Sequence, residues 1–106
     1  MNLKTKNAFK ILFWCCTLDM ITTSLFLKYF DGVLFEGNQV INILDAYHPA
    51  LVFAYVPIVL LVTAGFYWVC CKSKLVVEGR AVVLTEALMF FAASLGNTVV
   101  MIWEVL

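Results

Sequence analysis

Three long stretches of this chain are almost continuously apolar, and its polar residues gather between them. The first runs from Ala8 to Phe30, the second from Pro49 to Cys71 and the third from Ala81 to Leu106. None shows the two-residue alternation of a half-buried strand, and there is no series of roughly 10-residue alternating segments from which a membrane barrel is built. Each stretch reaches the roughly 20 residues a helix needs to cross a hydrocarbon layer. Backbone groups in lipid must be satisfied within their own segment, so the pattern predicts three membrane-spanning helices. The expected fold class is all-α and integral to the membrane. One three-helix domain covers residues 1–106, with helices over about 8–30, 49–71 and 81–106.

The link between the first two stretches is more than a connector. "DGVLFEGNQVINILDAYHP" carries turn signals at Asp31-Gly32 and at Glu36-Gly37-Asn38, yet it also holds Val33, Leu34, Phe35, Val40, Ile41, Ile43 and Leu44. Val40, Ile41 and Leu44 share one helical face, with Asn42 and Asp45 largely elsewhere. A short amphipathic helix over about 38–47, lying at the membrane interface with Asn38 as its N-cap, is the expected form. Such a helix serves either as a lid on the end of the bundle or as a cover over a site. The link between the second and third stretches is short, which predicts an antiparallel hairpin.

Composition supports the membrane reading. Of the 106 residues, 64% are hydrophobic and 13% charged, against about half and about a quarter in an ordinary soluble domain. The mean hydropathy is +0.99. So short a chain cannot bury that much apolar surface in one soluble core. The formal net charge is zero, and no cluster of Lys and Arg suggests nucleic acid as a partner.

Charge placement sets the expected threading. Lys4, Lys6 and Lys10 precede the first stretch, and Lys72, Lys74 and Arg80 lie between the second and third. The other link carries Asp31, Glu36 and Asp45, with Lys28 just before it. Basic residues favour the cytoplasmic side, so the N-terminus and second link are expected there, and the first link and C-terminus opposite. A cleaved signal peptide is the alternative for the first stretch. Its length, its internal Asp19 and the lack of a small-x-small cleavage site favour a retained helix.

Asp19 is the first candidate for chemistry. A carboxylate at the centre of a spanning helix costs roughly 2.5–3.5 kcal/mol on insertion scales. Thr22 and Thr23 follow three and four residues later and share its face, and Cys15 and Cys16 extend that face by a turn. The third stretch carries Glu86, Ala93, Asn97 and Val100 at helical spacing, with Ser94, Thr98 and Met101 alongside. Asp19, Thr22, Thr23, Glu86 and Asn97 are expected to converge on one polar interior, where the two acids could share a proton. Interhelical hydrogen bonding, ion or proton handling, ligand binding and catalysis are the roles open to them. The second stretch adds only Thr63 near its centre, with Tyr55 and Tyr67 toward its ends.

Other features read as structural. Ala92 and Gly96 form a small-x-x-x-small pair, and Ala64-Gly65 lies in the second stretch, so close helix contacts within the chain or between protomers are expected there. Pro57 is expected to kink the second helix or to be accommodated by its neighbours. Cys15-Cys16 and Cys70-Cys71 fall toward the reducing side, where disulfides are not expected and apolar filling is the ordinary role. His48 is an interfacial polar residue, and no metal site or cofactor is expected. Trp14, Tyr67, Trp68 and Trp103 lie toward segment ends, as an aromatic belt requires.

"LDMITTSLFLKYFDGVLFEGNQ" resembles the opening of a family of small prokaryotic three-helix membrane proteins classed as a domain of unknown function. In that family L-D-x-x-[ST]-T is followed about a dozen residues later by E-x-N-P. Asp19, Thr22 and Thr23 fit the first part, and Glu36 and Asn38 the second. Gln39 stands where proline is usual, and a lysine expected in helix two is missing. The resemblance covers about a fifth of the chain. It implies that Asp19, Thr23, Glu36 and Asn38 belong to one constellation, in a bacterial or archaeal cytoplasmic membrane, and it brings no activity with it.

Three function classes follow. One is a small accessory or assembly subunit, packed against a larger membrane complex or against itself as a homo-oligomer. Another is a small oligomeric transporter or channel that moves an ion, a proton or a solute by way of Asp19 and Glu86. The last is an intramembrane enzyme, for which the sequence offers no nucleophile–base pair, so catalysis is not expected. The accessory subunit is the reading adopted, with the lipid bilayer and other membrane subunits as partners.

Overall fold

The computed structural model describes residues 3–29 and 39–106. The expected N-cap Asn38 and the motif residue Glu36 lie outside the described residues. All regular structure among the described residues is helical: α1 over Leu3–Tyr29, α2 over Gln39–Tyr47, a 3-10 segment over Pro49–Ala54, α3 over Tyr55–Lys72 and α4 over Val76–Val105. Among the described residues three helices, counting the 3-10 turn with α3, are long and apolar enough to cross a membrane. At a rise of 1.5 Å per residue, the 30 residues of α4 make a rod of about 45 Å, which accounts for the 48 Å long axis of the molecule.

Two of the long helices begin away from the edges of their apolar stretches. α1 starts at Leu3 and α4 at Val76, each about five residues before the expected start. Helix formation needs only backbone pairing, so it runs on through Lys4 and Lys6, and through Glu78 and Arg80, once polarity has ended the apolar run. Pro57 is the third residue of α3, within its first turn. Proline is tolerated in the first turn of a helix, where a missing N–H costs least. The 3-10 segment has its own start signal: the Ala50 N–H donates to His48 Nδ1 at 3.1 Å, and His48 is extended at φ −168°. The histidine is thus a cap.

The α3–α4 hairpin turns in three residues. Lys74 takes a left-handed conformation at φ 61°, the Lys74 N–H donates to Cys71 O at 3.2 Å, and the Leu75 N–H donates to Cys70 O at 2.7 Å. That pairing closes the C-terminus of α3 in the manner of a Schellman turn. It also brings Gly79 directly onto α3. A Cβ at Gly79 would sit 2.9 Å from Cys70 Cβ and 3.2 Å from Tyr67 Cδ2. Tyr67 reaches further: its hydroxyl pairs with Thr5 Oγ1 at 2.9 Å, and its ring meets Phe9 edge-on at 5.7 Å. One end of the bundle is therefore locked by residues from all three long helices.

The most extensive packing is between α1 and α4. Ala8 and Leu12 of α1 bury against Val83 and Ala87 of α4. A second cluster joins Cys16 and Met20 of α1 to Ile41 of α2 and to Val52 and Val56. α1 is the most enclosed long helix and α4 the least. Large apolar side chains cover the outside, among them Leu61, Leu88, Met89 and Trp103. Helix α2 packs on the bundle through Ile41, with Leu44 half-buried and Asn42 and Ile43 exposed. All four cysteines are free thiols. Cys16 and Cys70 are buried, so half of the cysteines fill core space.

The close approach at Gly79 has a measurable consequence. Gly79→Ala is expected to destabilise the fold by about 1–3 kcal/mol through overpacking. Gly96→Ala, whose Cβ would meet nothing within 4 Å, is expected to be neutral or stabilising by up to about 1 kcal/mol through helix propensity. Reversible unfolding in mixed dodecylmaltoside–SDS micelles, followed by far-ultraviolet circular dichroism, measures both.

Candidate functional site

Asp19 lies mid-way along α1 and is buried, as are Thr22 and Thr23. The helix repeat aims all three at α4. Thr22 Oγ1 donates to the Asp19 carbonyl at 2.9 Å, which satisfies that hydroxyl within its own helix. Thr23 Oγ1 donates to Asp19 Oδ1 at 3.5 Å, a long contact. From α4, the Asn97 amide sits over the same three oxygens. Its Nδ2 lies 3.4 Å from Asp19 Oδ1, 3.3 Å from Thr22 Oγ1 and 3.2 Å from Thr23 Oγ1. Asp19, Thr22, Thr23 and Asn97 thus form one hydrogen-bonded group between α1 and α4.

Glu86 reaches this region by a different route. It is half-buried on α4, and its Oε2 accepts a 2.7 Å hydrogen bond from Thr63 Oγ1 of α3. Thr63 is buried. The two polar groups meet along a cleft of about 560 Å³ between α3 and α4. Asp19, Thr23, Thr63, Glu86 and Asn97 supply its polar lining, and Ile58, Val62, Met89 and Ala93 are apolar wall residues. Ile41 of α2 and the Tyr55–Phe90 pair line it too, the two rings meeting edge-on at 6.4 Å. Ile58, Val62, Met89 and Ala93 are also exposed on the outside of the molecule, so the cleft opens sideways between the two helices.

The stripe expected on the third helix divides. Glu86, Ala93 and Asn97 line the cleft and Val100 is exposed beyond it, while the side of α4 buried against its neighbours is Gly79, Val83, Ala87 and Ser94. Small side chains at Ala87 and Ser94 let α1 approach closely, which leaves the larger Glu86 and Asn97 at the margin of that contact, facing the cleft. Ser94 and Thr98 satisfy their hydroxyls on α4's own backbone, donating to Phe91 O and to Ser94 O, each at 2.8 Å. The small pair Ala92 and Gly96 is exposed, and among the described residues nothing lies within 4 Å of where a Cβ of Gly96, or of Gly65 in α3, would stand. Glu36 and Asn38, named with Asp19 by the family motif, lie outside the described residues.

Thr63 is the residue that sequence reasoning undervalued. Its signal was its isolation: a single hydroxyl at the centre of the most apolar span has to find a partner on a neighbouring helix. Among the described residues no group of three or more His, Cys, Asp or Glu side chains could hold a metal ion. The chain matches no protein-family model, no curated protein and no solved structure. The family resemblance accordingly rests on its motif residues.

The polar contacts can be weighed by double-mutant cycle. Thr63→Val and Glu86→Gln are expected to couple by about 0.6–1.7 kcal/mol, the range found for interhelical hydrogen bonds. Thr63→Val and Asn97→Leu, which lie in separate hydrogen-bonded groups, are expected to add within about 0.5 kcal/mol. Unfolding free energies of the single and double variants in mixed micelles provide the readout.

Proposed function

We propose that this chain is a small integral membrane protein that threads the bilayer three times and serves as an accessory or assembly subunit, packing against a larger membrane complex or against itself. The hydropathy of α1, α3 and α4 supports the threading. Six of the seven basic residues favour a cytoplasmic N-terminus and α3–α4 turn, with the C-terminus opposite. Lys72 lies over the Trp68 ring at 4.9 Å, as a basic and aromatic pair would at a headgroup boundary. Helix α2 serves in this reading as an interfacial lid that closes the outer end of the cleft through Ile41.

The observation that carries the accessory role is the unused close-approach surface of α4. Without a hydrophobic force between helices in lipid, association depends on small residues that let backbones meet and on interhelical hydrogen bonds. Within the chain that device operates at Gly79. At Ala92 and Gly96 it is present but faces outward, with open space where a Cβ of Gly96 would stand. A second helix, from a partner subunit or another copy, is what such a surface fits.

A second reading is favoured by the cleft. Five polar residues from three helices line one opening, and Asp19 and Glu86 there suit a small transporter or channel. Three helices enclose little space, so that activity would require oligomerisation.

The accessory role makes a direct demand on Gly96. Gly96→Ile is expected to convert a larger native assembly into the 12.0 kDa monomer, or to release a copurifying subunit, while helical content and unfolding midpoint stay unchanged. Native mass spectrometry from mild detergent reads this. An unchanged assembly mass in the isoleucine variant would remove α4's outward face from the contact.

A further inference from the structure

The cleft between α3 and α4 has a chemistry that the accessory role does not use. Its volume, about 560 Å³, falls within the roughly 300–1,000 Å³ of small-molecule sites, which are mostly apolar with a few convergent polar groups. Walls and floor differ in kind. Ile58, Val62 and Met89 offer an aliphatic slot that opens sideways, whereas the floor ends on the carboxylates of Asp19 and Glu86. No Lys or Arg is among its described lining residues.

We propose that this cleft binds the ammonium head of a single-chain alkylamine, which enters sideways from the bilayer with its chain along the aliphatic slot. An alkylammonium has three N–H donors and a positive charge. Asp19 and Glu86 supply acceptor oxygens of opposite charge, and Thr23 and Thr63 supply hydroxyl oxygens beside them. Thr63 occupies one position on Glu86 Oε2, and an ionised carboxylate accepts at about four. The Tyr55 and Phe90 rings add faces that favour a cation. An anionic head would meet two carboxylates with no basic residue to offset them. A neutral alcohol brings no charge of opposite sign to the two carboxylates. Among the described residues no group of three or more His, Cys, Asp or Glu side chains is available here for a metal ion. The inference rests on the membrane-spanning reading and is independent of the accessory role.

The test uses the full chain in dodecylmaltoside micelles and octylammonium chloride as the probe, titrated by isothermal calorimetry, with octanol and octanoate as controls. Saturable binding of about one octylammonium per chain is expected, with octanol and octanoate at least tenfold weaker. Glu86→Gln and Asp19→Asn are each expected to weaken octylammonium binding by tenfold or more. Equal binding of octanol, or full affinity in both variants, would overturn the site. If either variant fails to fold, Ala93→Trp decides. This exposed wall position takes the added bulk outside the α1–α4 core, so the variant should fold and lose binding. Full affinity in the folded tryptophan variant would likewise overturn the proposal. Native mass in the absence of probe reads the accessory role separately, so failure of one proposal leaves the other standing.

Discussion

The contact between Gly79 and α3 sets the shape of everything beyond it. A Cβ there would come within 2.9 Å of Cys70 Cβ, a distance that only the missing side chain permits. The closure depends on the turn just before it, where Lys74 accepts a left-handed backbone at a steric cost of roughly 1–2 kcal/mol. That cost is offset by the two backbone bonds of the turn and by the burial of Tyr67. Two helices pinned this tightly at one end need side-chain bulk or an opening further along. Glu86 and Phe90, two and three turns from Gly79, stand where the opening begins.

Polarity is distributed according to that geometry. The tightly packed α1–α4 contact takes small and apolar residues, and its hydroxyls at Thr22, Ser94 and Thr98 are spent on backbone carbonyls of their own helices. Groups that cannot be satisfied in this way lie along the cleft. Asp19 is held by Thr23 and by Asn97 across the helix pair, and Glu86 by Thr63. Each acid thus draws on a different neighbouring helix. In hydrocarbon such bonds are worth a fraction of a kcal/mol to about 2 kcal/mol each. A single bond of that size falls short of the insertion cost of a carboxylate, roughly 2.5–3.5 kcal/mol, and the two drawn by Asp19 together approach it.

Much of this arrangement was legible in the amino-acid order, because length and hydropathy specify spanning helices and the 3.6-residue repeat specifies faces. Asp19, Thr22 and Thr23 had to share a side, and a buried polar face had to look toward another helix. Other features were hidden for identifiable reasons. Gly79 sits in "VVEGRAV", where adjacent charges imitate a loop, so its role in close packing could not be read from hydropathy. Ala92 and Gly96 carry the usual pattern for a helix contact, but pattern alone does not say which face a neighbour occupies. The depth of Glu86 was readable, whereas its partner was not. Thr63 becomes that partner only through the register of the α3–α4 hairpin, which three turn residues determine.

The same register divides the bundle into parts of unequal rigidity. α1 and α4 share the longest contact, with Val83 and Leu12 fully enclosed within it. α3 is anchored at its C-terminal end by Tyr67, Cys70 and Gly79, and beside the cleft by the Thr63–Glu86 bond. At its N-terminal end it continues directly from the 3-10 segment, whose Val52 packs in the cluster with Ile41 and Met20. A load on the cleft walls therefore falls on α3 rather than on α4, because separating α4 from α1 would expose their common core. Thr63–Glu86 lies between the α3 anchor and the cleft, so that single hydrogen bond reports on both. A guest that offers Glu86 a charged donor binds beside the Thr63 hydroxyl, because the carboxylate accepts at more positions than that one bond fills. The bond that braces α3 and the acceptor that faces the cleft thus belong to one carboxylate.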